Sequence, residues 1–297
     1  VIVKRMNRDW STANTNFTFF EAYKLDGTFL WAIDVGPNIT MDVEINIAAF
    51  DFDGDGKAEV FMKTSDNTVF GDGKSVGDRD GDGVTNYRYS ASAEGFMNAG
   101  PEYLSLIDGV TVAELDWVNF IARGSSSDWG DGYGHRANKF FFGAPYLDGI
   151  HPSIFIGRGI YTQTKMATYD VVNKKMMLRW TWESGTSGIY SAQGNHNYTV
   201  ADVDGDGNDE IVWGSMCVDH NGTGLYSTNL GHGDAMHVGD FDPYLKGIEV
   251  FACNEANPGT NFREGATGKI LMRHVTPGDC GRACAGNISD SFKGAEL

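Results

Sequence analysis

Apolar residues at helical spacing are almost missing from this chain; no such run holds for more than about two turns. A helical fold is therefore not expected. Nor does any apolar stretch approach the ~20 residues a membrane-spanning helix needs, so no membrane partner is expected. Basic residues are scarce: 23 Lys and Arg against 40 Asp and Glu leave a net charge of −17. That balance argues against nucleic acid as a partner. Cysteine is sparse too, at Cys217, Cys253, Cys280 and Cys284. The CxxxC spacing of CGRAC has no second clustered pair to complete a zinc site, which leaves one or two disulfides, or buried thiols. The opening residues VIVKRMNRDW lack the features of a signal peptide. A chain that begins abruptly on a strand reads as a mature or partial product.

Acidic loops are abundant. DFDGDGKAEVFMK places Asp51, Asp53, Asp55 and Glu59 at loop positions 1, 3, 5 and 9 and then turns apolar. ADVDGDGNDEIVWG repeats this with Asp202, Asp204, Asp206 and Glu210, and DRDGDGVTN with Asp78, Asp80, Asp82 and Asn86. Carboxylates at alternating positions repel one another unless a cation sits between them. Oxygen ligands on a flexible, glycine-kinked loop suit Ca²⁺, with a backbone carbonyl at position 7 (Lys57, Val84 or Asn208) joining the side chains. An EF-hand would carry a glutamate at position 12, where this chain has Met62 and Trp213. The apolar run after each loop reads as a strand, so the motif is calcium loop then strand. Several calcium ions are expected, and such loops fit the calcium-rich exterior, hence a secreted protein.

The loops head a repeat. Units begin at residues 51, 146, 202, 240 and 287, spaced by 95 (with an insertion), 56, 38 and 47 residues. Each is a loop, a strand and a hairpin turning on Asp-Gly or a similar pair. The degenerate copies are YLDGIHPSIFIG and DFDPYLKGIEVFA, the latter offering Asp240, Asp242 and Glu249 as ligands. Short strands repeating at roughly 40–50 residues are the signature of propeller blades. The fold expected is all-β: a single β-propeller domain over residues 1–297, incomplete at both ends. About five blades are covered, as a closed five-bladed ring or as a segment of a larger one.

Four of the seven histidines lie between residues 196 and 237. His196 in QGNHN and His232 in GHGDAMH precede the acidic loops of adjacent units at nearly the same phase, which should bring them together beside Asp234 and Glu255. Two imidazoles and two carboxylates can hold a divalent ion or form an acid–base cluster. A structural role, tying blades together, is the alternative. His220, in VDHNGTG, reads as an exposed turn residue.

The segments EAYKLDGTFLW, DFDGDGKAEVFMKTSD, GPEYL, SDWGDGYGHR, QGNHNYTVADVDGDGNDEI, LYSTNLGHGDAMHVGDFDP and CGRACAG together resemble the rhamnogalacturonan lyases of polysaccharide lyase family 11. The resemblance implies an eight-bladed propeller carrying several calcium ions, with a catalytic cleft at its centre. It also implies eliminative cleavage of the rhamnogalacturonan I backbone between galacturonate and rhamnose. The family's active-site calcium ligands fall on His196, His232, Asp234 and Glu255, and the arginine attributed to its catalytic centre on Arg282. The family's first acidic loop would lie before Val1, and its last blades, with a lysine associated with catalysis, beyond Leu297.

On this reading calcium neutralises a uronate carboxylate while the C5 proton is removed, with Arg282 as a second partner of that carboxylate or as a proton-transfer residue. Calcium also reconciles an acidic protein with an anionic pectic polysaccharide as partner. Trp129, Tyr133 and Arg136 are expected to line the cleft, with packing of a long loop as their alternative role. Two other functions fit the same residues: a non-catalytic, calcium-stabilised propeller that binds glycans or assembles with itself, and a histidine-bound transition metal supporting redox or hydrolytic work.

Overall fold

The computed structural model describes residues 1–6, 18–40, 47–291 and 293–297. Residues 7–10 of the opening VIVKRMNRDW and residue 292 of the closing NISDSFKGAEL lie outside them. Among the described residues the chain is all-β, its helical pieces being short 3-10 turns at Arg88–Ser90, Ser126–Trp129 and Arg136–Asn138.

Five antiparallel sheets follow one another along the chain, each a simple meander. The first holds β1 (Ile2–Met6), β2 (Thr18–Tyr23) and β3 (Phe29–Asp34). The second holds β4 (Ile47–Phe50), β5 (Glu59–Thr64), β6 (Tyr103–Asp108) and β7 (Glu114–Asn119). The third has β8 (Phe140–Gly143), β9 (Ser153–Arg158), β10 (Lys165–Val172) and β11 (Lys175–Glu183). The fourth has β12 (Thr199–Ala201), β13 (Glu210–Trp213), β14 (Met216–Val218) and β15 (Gly224–Ser227). The fifth has β16 (Met236–Gly239), β17 (Glu249–Asn254), β18 (Gly259–Glu264) and β19 (Ile270–Val275).

The expected loop–strand–hairpin unit is visible in each four-stranded sheet. The acidic loops connect first strand to second, and tight hairpins follow. Between β10 and β11, Asn173 and Lys174 take φ of 52° and 62°. A two-residue turn with both φ positive matches strand twist, and it pairs Val172 with Lys175. In every sheet the last two strands pair with a register shift, at Ala22/Tyr23, Leu106/Ile107, Thr168/Tyr169, Cys217/Val218 and Phe262/Arg263. A bulge at the same place in each unit increases local twist there.

The second strands are apolar on both faces because both faces are covered. Val60 and Met62 of β5 share a core with Phe20, Trp31 and Ile33 of the first sheet. Phe61, between them, points the other way, into a core with Phe142, Ile154 and Ile156 of the third. Phe141 and Phe155 then pack with Ile211 and Trp213 of the fourth sheet, whose Val212 and Cys217 pack with Met236, Val250 and Ala252 of the fifth. Period-2 alternation thus stacks the five sheets face to face in chain order. Among the described residues no shared core joins the first sheet to the fifth.

One polar cluster lies between the second and third sheets. Glu102 accepts Arg158 Nη1 at 2.6 Å and forms ion pairs with Arg123 Nη2 at 2.8 Å and with Lys63 Nζ, all four side chains being buried or nearly so. Burial opposes the Glu102 charge, but Arg158, Lys63 and Arg123 together outweigh it and hold the carboxyl well below its usual range. Lys63 is lowered to about 7, first by burial and then by the two arginines, against Glu102. An unfolded lysine titrates near 10.5. Between those values the unfolded chain holds a proton that the folded chain lacks, so stability rises with pH across that window. The urea midpoint should therefore climb between pH 7 and pH 9, and Lys63→Met should abolish the slope; a flat midpoint in the parent protein contradicts this. Glu102→Gln leaves three buried cations without their anion and should cost ~3–5 kcal/mol.

Candidate active site

The acidic loops share one backbone pattern. In the loop between β4 and β5, Asp51 accepts the N–H groups of Gly54 (2.8 Å) and Gly56 (2.9 Å), and Asp55 accepts that of Lys57 at 2.8 Å. Gly54 and Gly56 sit at φ of 75° and 84°, where a side chain would be strained. Glu59, the first residue of β5, closes the loop by accepting the Phe52 N–H at 3.0 Å. The loop between β12 and β13 repeats every contact: Asp202 takes Gly205 and Gly207, Asp206 takes Asn208, and Glu210 takes Val203. Oxygens of Asp51, Asp53 and Glu59, and of Asp202, Asp204 and Asp206, converge within 4.8 Å. The burial of Glu210 pushes its pKa up to about 8, helped by Asp204, Asp206 and Asp219, and its Oε1 is buried without a hydrogen-bond partner. Such a donor set fits a hard divalent cation.

His220 differs from its expected place as an exposed turn residue. Its Nδ1 lies 2.6 Å from Asp219, 3.4 Å from Asp206 and 3.8 Å from Glu210, facing the loop from the β14–β15 hairpin. Two other predicted ligand sets are arranged differently from the spacing. Asp240, Asp242 and Glu249 do not converge as a trio among the described residues. Pro243 replaces a loop glycine there, and Glu249 instead accepts the Phe241 and Asp242 N–H groups. Asn86 is the other case, because its Oδ1 accepts the Arg88 N–H at 3.0 Å. The oxygens that converge in that loop belong to Asp66, Asp78 and Asp80. Asp82 accepts the Val84 N–H and the Tyr87 hydroxyl.

At the other end of the sheets, the fourth and fifth meet at a short parallel bridge between Asn195 and Gly233. That bridge sets His196 beside His232, ring centroids 5.2 Å apart. Asp234 Oδ1 lies 3.6 Å from His196 Nε2 and 3.9 Å from His232 Nε2, and Glu255 Oε2 lies 3.6 Å from His232 Nε2. These separations exceed hydrogen-bond length, and the nitrogens and oxygens point to a common space. His232 Nδ1 faces the carbonyls of Gly194 (2.7 Å) and Ile160 (3.2 Å), so it carries the proton and leaves Nε2 a lone pair. Burial lowers the His232 pKa, and its Nε2 is buried with no hydrogen-bond partner. A neutral imidazole oriented by backbone carbonyls fits a metal ligand.

Arg282 reaches the cluster from the segment after β19, with Nη1 at 3.1 Å from Asp234 Oδ2. His237 anchors that segment through the Ala283 carbonyl, 2.9 Å from its Nε2. A cleft of about 490 Å³ opens over the site, lined by Arg136, Tyr161, Thr162, Ala192, His196, His232, Asp234 and Glu255. Arg136 thus stands where expected, its guanidinium 4.1 Å over the Tyr161 ring. Tyr161 was not anticipated; its hydroxyl lies 3.1 Å from His196 Nε2. In sequence it is one tyrosine among 12, with nothing in GRGIYTQ to mark it. Trp129 is a correction. It is 1% exposed, lies against Gly159 and donates to the Arg123 carbonyl, so it supports the loop and does not line the cleft. Tyr133 is half-exposed but packs edge-on against Phe96, outside the cleft lining. All four cysteines are free thiols, Cys217 and Cys253 being buried.

Comparison with known proteins places the chain in a family. Residues 5–297 match the family described as rhamnogalacturonan lyase family 11, C-terminal domain. The rhamnogalacturonan exolyase YesX of Bacillus subtilis is 47% identical over 95% of this chain and 46% of its own length; the endolyase YesW of the same organism gives the same figures. The chain thus spans about half the length of the curated relatives it matches. The crystal structure of YesX superposes over 97% of this chain and 48% of its own with a TM-score of 0.89 at 46% identity, and that of a Bacillus licheniformis rhamnogalacturonan lyase over 97% and 50% with a TM-score of 0.88 at 45%. This chain belongs to rhamnogalacturonan lyase family 11.

Proposed function

We propose that the protein cleaves the rhamnogalacturonan I backbone between galacturonate and rhamnose by β-elimination, and that its five sheets are successive blades of a calcium-stapled β-propeller acting outside the cell. The observation that carries the reading is the convergence of His196, His232 and Asp234, with Glu255 3.6 Å from a partnerless His232 Nε2 and Arg136 in the lining of the cleft above. Family membership supports the reaction class. The open face-to-face array, with one bulge per unit, supports the blade assignment.

Elimination at a uronate removes a weakly acidic proton at C5 while the C4–oxygen bond breaks, so charge builds on the adjacent carboxylate. When bound between the two imidazoles and the two carboxylates, calcium would supply fixed positive charge beside that carboxylate. Arg282 is largely exposed and held only by Asp234 and nearby carbonyls, so its guanidinium is free to turn toward the uronate. Arg136, fixed on Tyr161, presents a second cation on the opposite wall. Tyr161 in turn orients His196. The carboxylates of the β4–β5 and β12–β13 loops stand at the far end of the sheets, away from the cleft.

In the full-length protein, rhamnogalacturonan I with calcium should yield unsaturated product absorbing near ~235 nm, and its absence would sink the lyase reading. Arg282→Ala should lower kcat on the order of 10²–10³, as for loss of a charge-stabilising donor, with little change in thermal stability because the side chain is exposed. His232→Ala should lower both activity and bound calcium by one site. Full activity with unchanged metal content would show that the cluster is not the catalytic centre.

A further inference from the structure

The third acidic loop breaks the pattern of the other two at the position that closes them. Glu59 and Glu210 each bind the N–H of the second loop residue through one oxygen. In the third loop that N–H belongs to Arg79, and it is accepted at 3.2 Å by Asp66, 13 residues upstream. Asp66 follows β5 directly and is 0% exposed. Its other oxygen, Oδ2, is buried with no hydrogen-bond partner. The same holds for Oε1 of Glu210 in the second loop. An ionised carboxylate left half-satisfied in the interior is costly unless a charge is meant to face it. Oxygens of Asp66, Asp78 and Asp80 lie within 4.8 Å of one another.

We propose that Asp66 is the closing ligand of a third site for a calcium-class cation, shared with Asp78 and Asp80, and that this ion fastens the insertion between β5 and β6 to the end of β5. The proposal rests on the reading that the first two loops hold calcium. Its consequence is reach. Beyond the loop the insertion runs back under the cleft wall. There Phe96 packs on His135 at 4.6 Å, Met97 accepts from Asn138, and Asn98 donates to the Tyr133 carbonyl at 3.2 Å. Arg136 lies between those braced residues. Ordering the insertion therefore sets the wall from which Arg136 faces the cleft.

The test uses the full-length protein, calcium alone as ligand, and two readouts: calcium bound per chain, and trypsin cleavage after Arg79 and Arg88 within the insertion. Asp66→Asn keeps an acceptor for the Arg79 N–H and removes the charge. It should bind one calcium fewer than the parent. At calcium about tenfold above the site's Kd, protection on the order of tenfold should be lost. In excess chelator the variant and the parent should be cut equally, which a purely structural role for Asp66 would not give. Asp80→Asn, at an exposed ligand, should reproduce the loss, while Asn86→Ala should retain the ion. Glu59→Gln and Glu210→Gln should each lose an ion elsewhere and leave the insertion protected. If those two lose an ion but Asp66→Asn and Asp80→Asn do not, Asp66 is no ligand and this inference falls alone. If none of the four changes bound calcium, the calcium-loop reading falls with it.

Discussion

The second strand of each four-stranded sheet is buried on both faces, and this expels polar chemistry to its ends. β5, β9, β13 and β17 are buried along their whole length, and β5, β9 and β13 each supply alternate residues to two cores. A charge in the middle of such a strand would sit in apolar surroundings with no water to solvate it. Lys63 is the exception in β5, and it stands one residue from the strand's end with Glu102 as counter-ion. Elsewhere the charged groups flank the strands. Glu59, Glu210 and Glu249 are the first residues of β5, β13 and β17, each binding loop N–H groups. Beyond the other ends come Asp66 after β5, Tyr161 after β9 and Glu255 after β17. The sheets stack in the same order and sense, so each kind of end gathers on its own side of the molecule.

That separation decides what each side can do. At the ends where the glutamates begin the strands, backbone N–H groups and short aspartate loops create compact, strongly negative pockets with no cationic side chain among the converging oxygens. Those pockets suit a hard cation held for structural purposes. At the opposite ends run the long β5–β6 insertion and the segments that join one sheet to the next, such as 120–139 and 184–198. They carry imidazoles and guanidinium groups, and they leave a cleft of about 490 Å³. A site with a buried imidazole, an exposed Arg282 and a stacked Arg136 suits a ligand that comes and goes.

The periodic features were readable in the sequence, because a two-residue alternation and an aspartate-glycine loop are local. The repeat, the loop-to-strand order and the meeting of His196 with His232 follow from phase within the unit. What escaped is what depends on neighbours distant in sequence. Asn86 has the right spacing, but Asp66 reaches the loop first from the end of β5. His220 lies in an ordinary hairpin turn that folds back over its own acidic loop. Trp129 sits in a polar, glycine-rich segment that looks exposed, yet Gly159 leaves a space into which its indole packs. Tyr161 has no distinguishing neighbour in sequence; its role comes from the bridge that delivers His196 to it.

The same geometry bears on how a net charge of −17 is distributed about the cleft. Net charge governs approach only where the charges are evenly spread. Here Asp234 is already paired with Arg282 at 3.1 Å, and Arg136 adds charge at the rim. Burial disfavours the His232 cation. Near the cleft, then, the field is far weaker than the total suggests, and it falls further with any cation held by the histidines. The acid of the β4–β5 and β12–β13 loops lies at the opposite ends of the sheets.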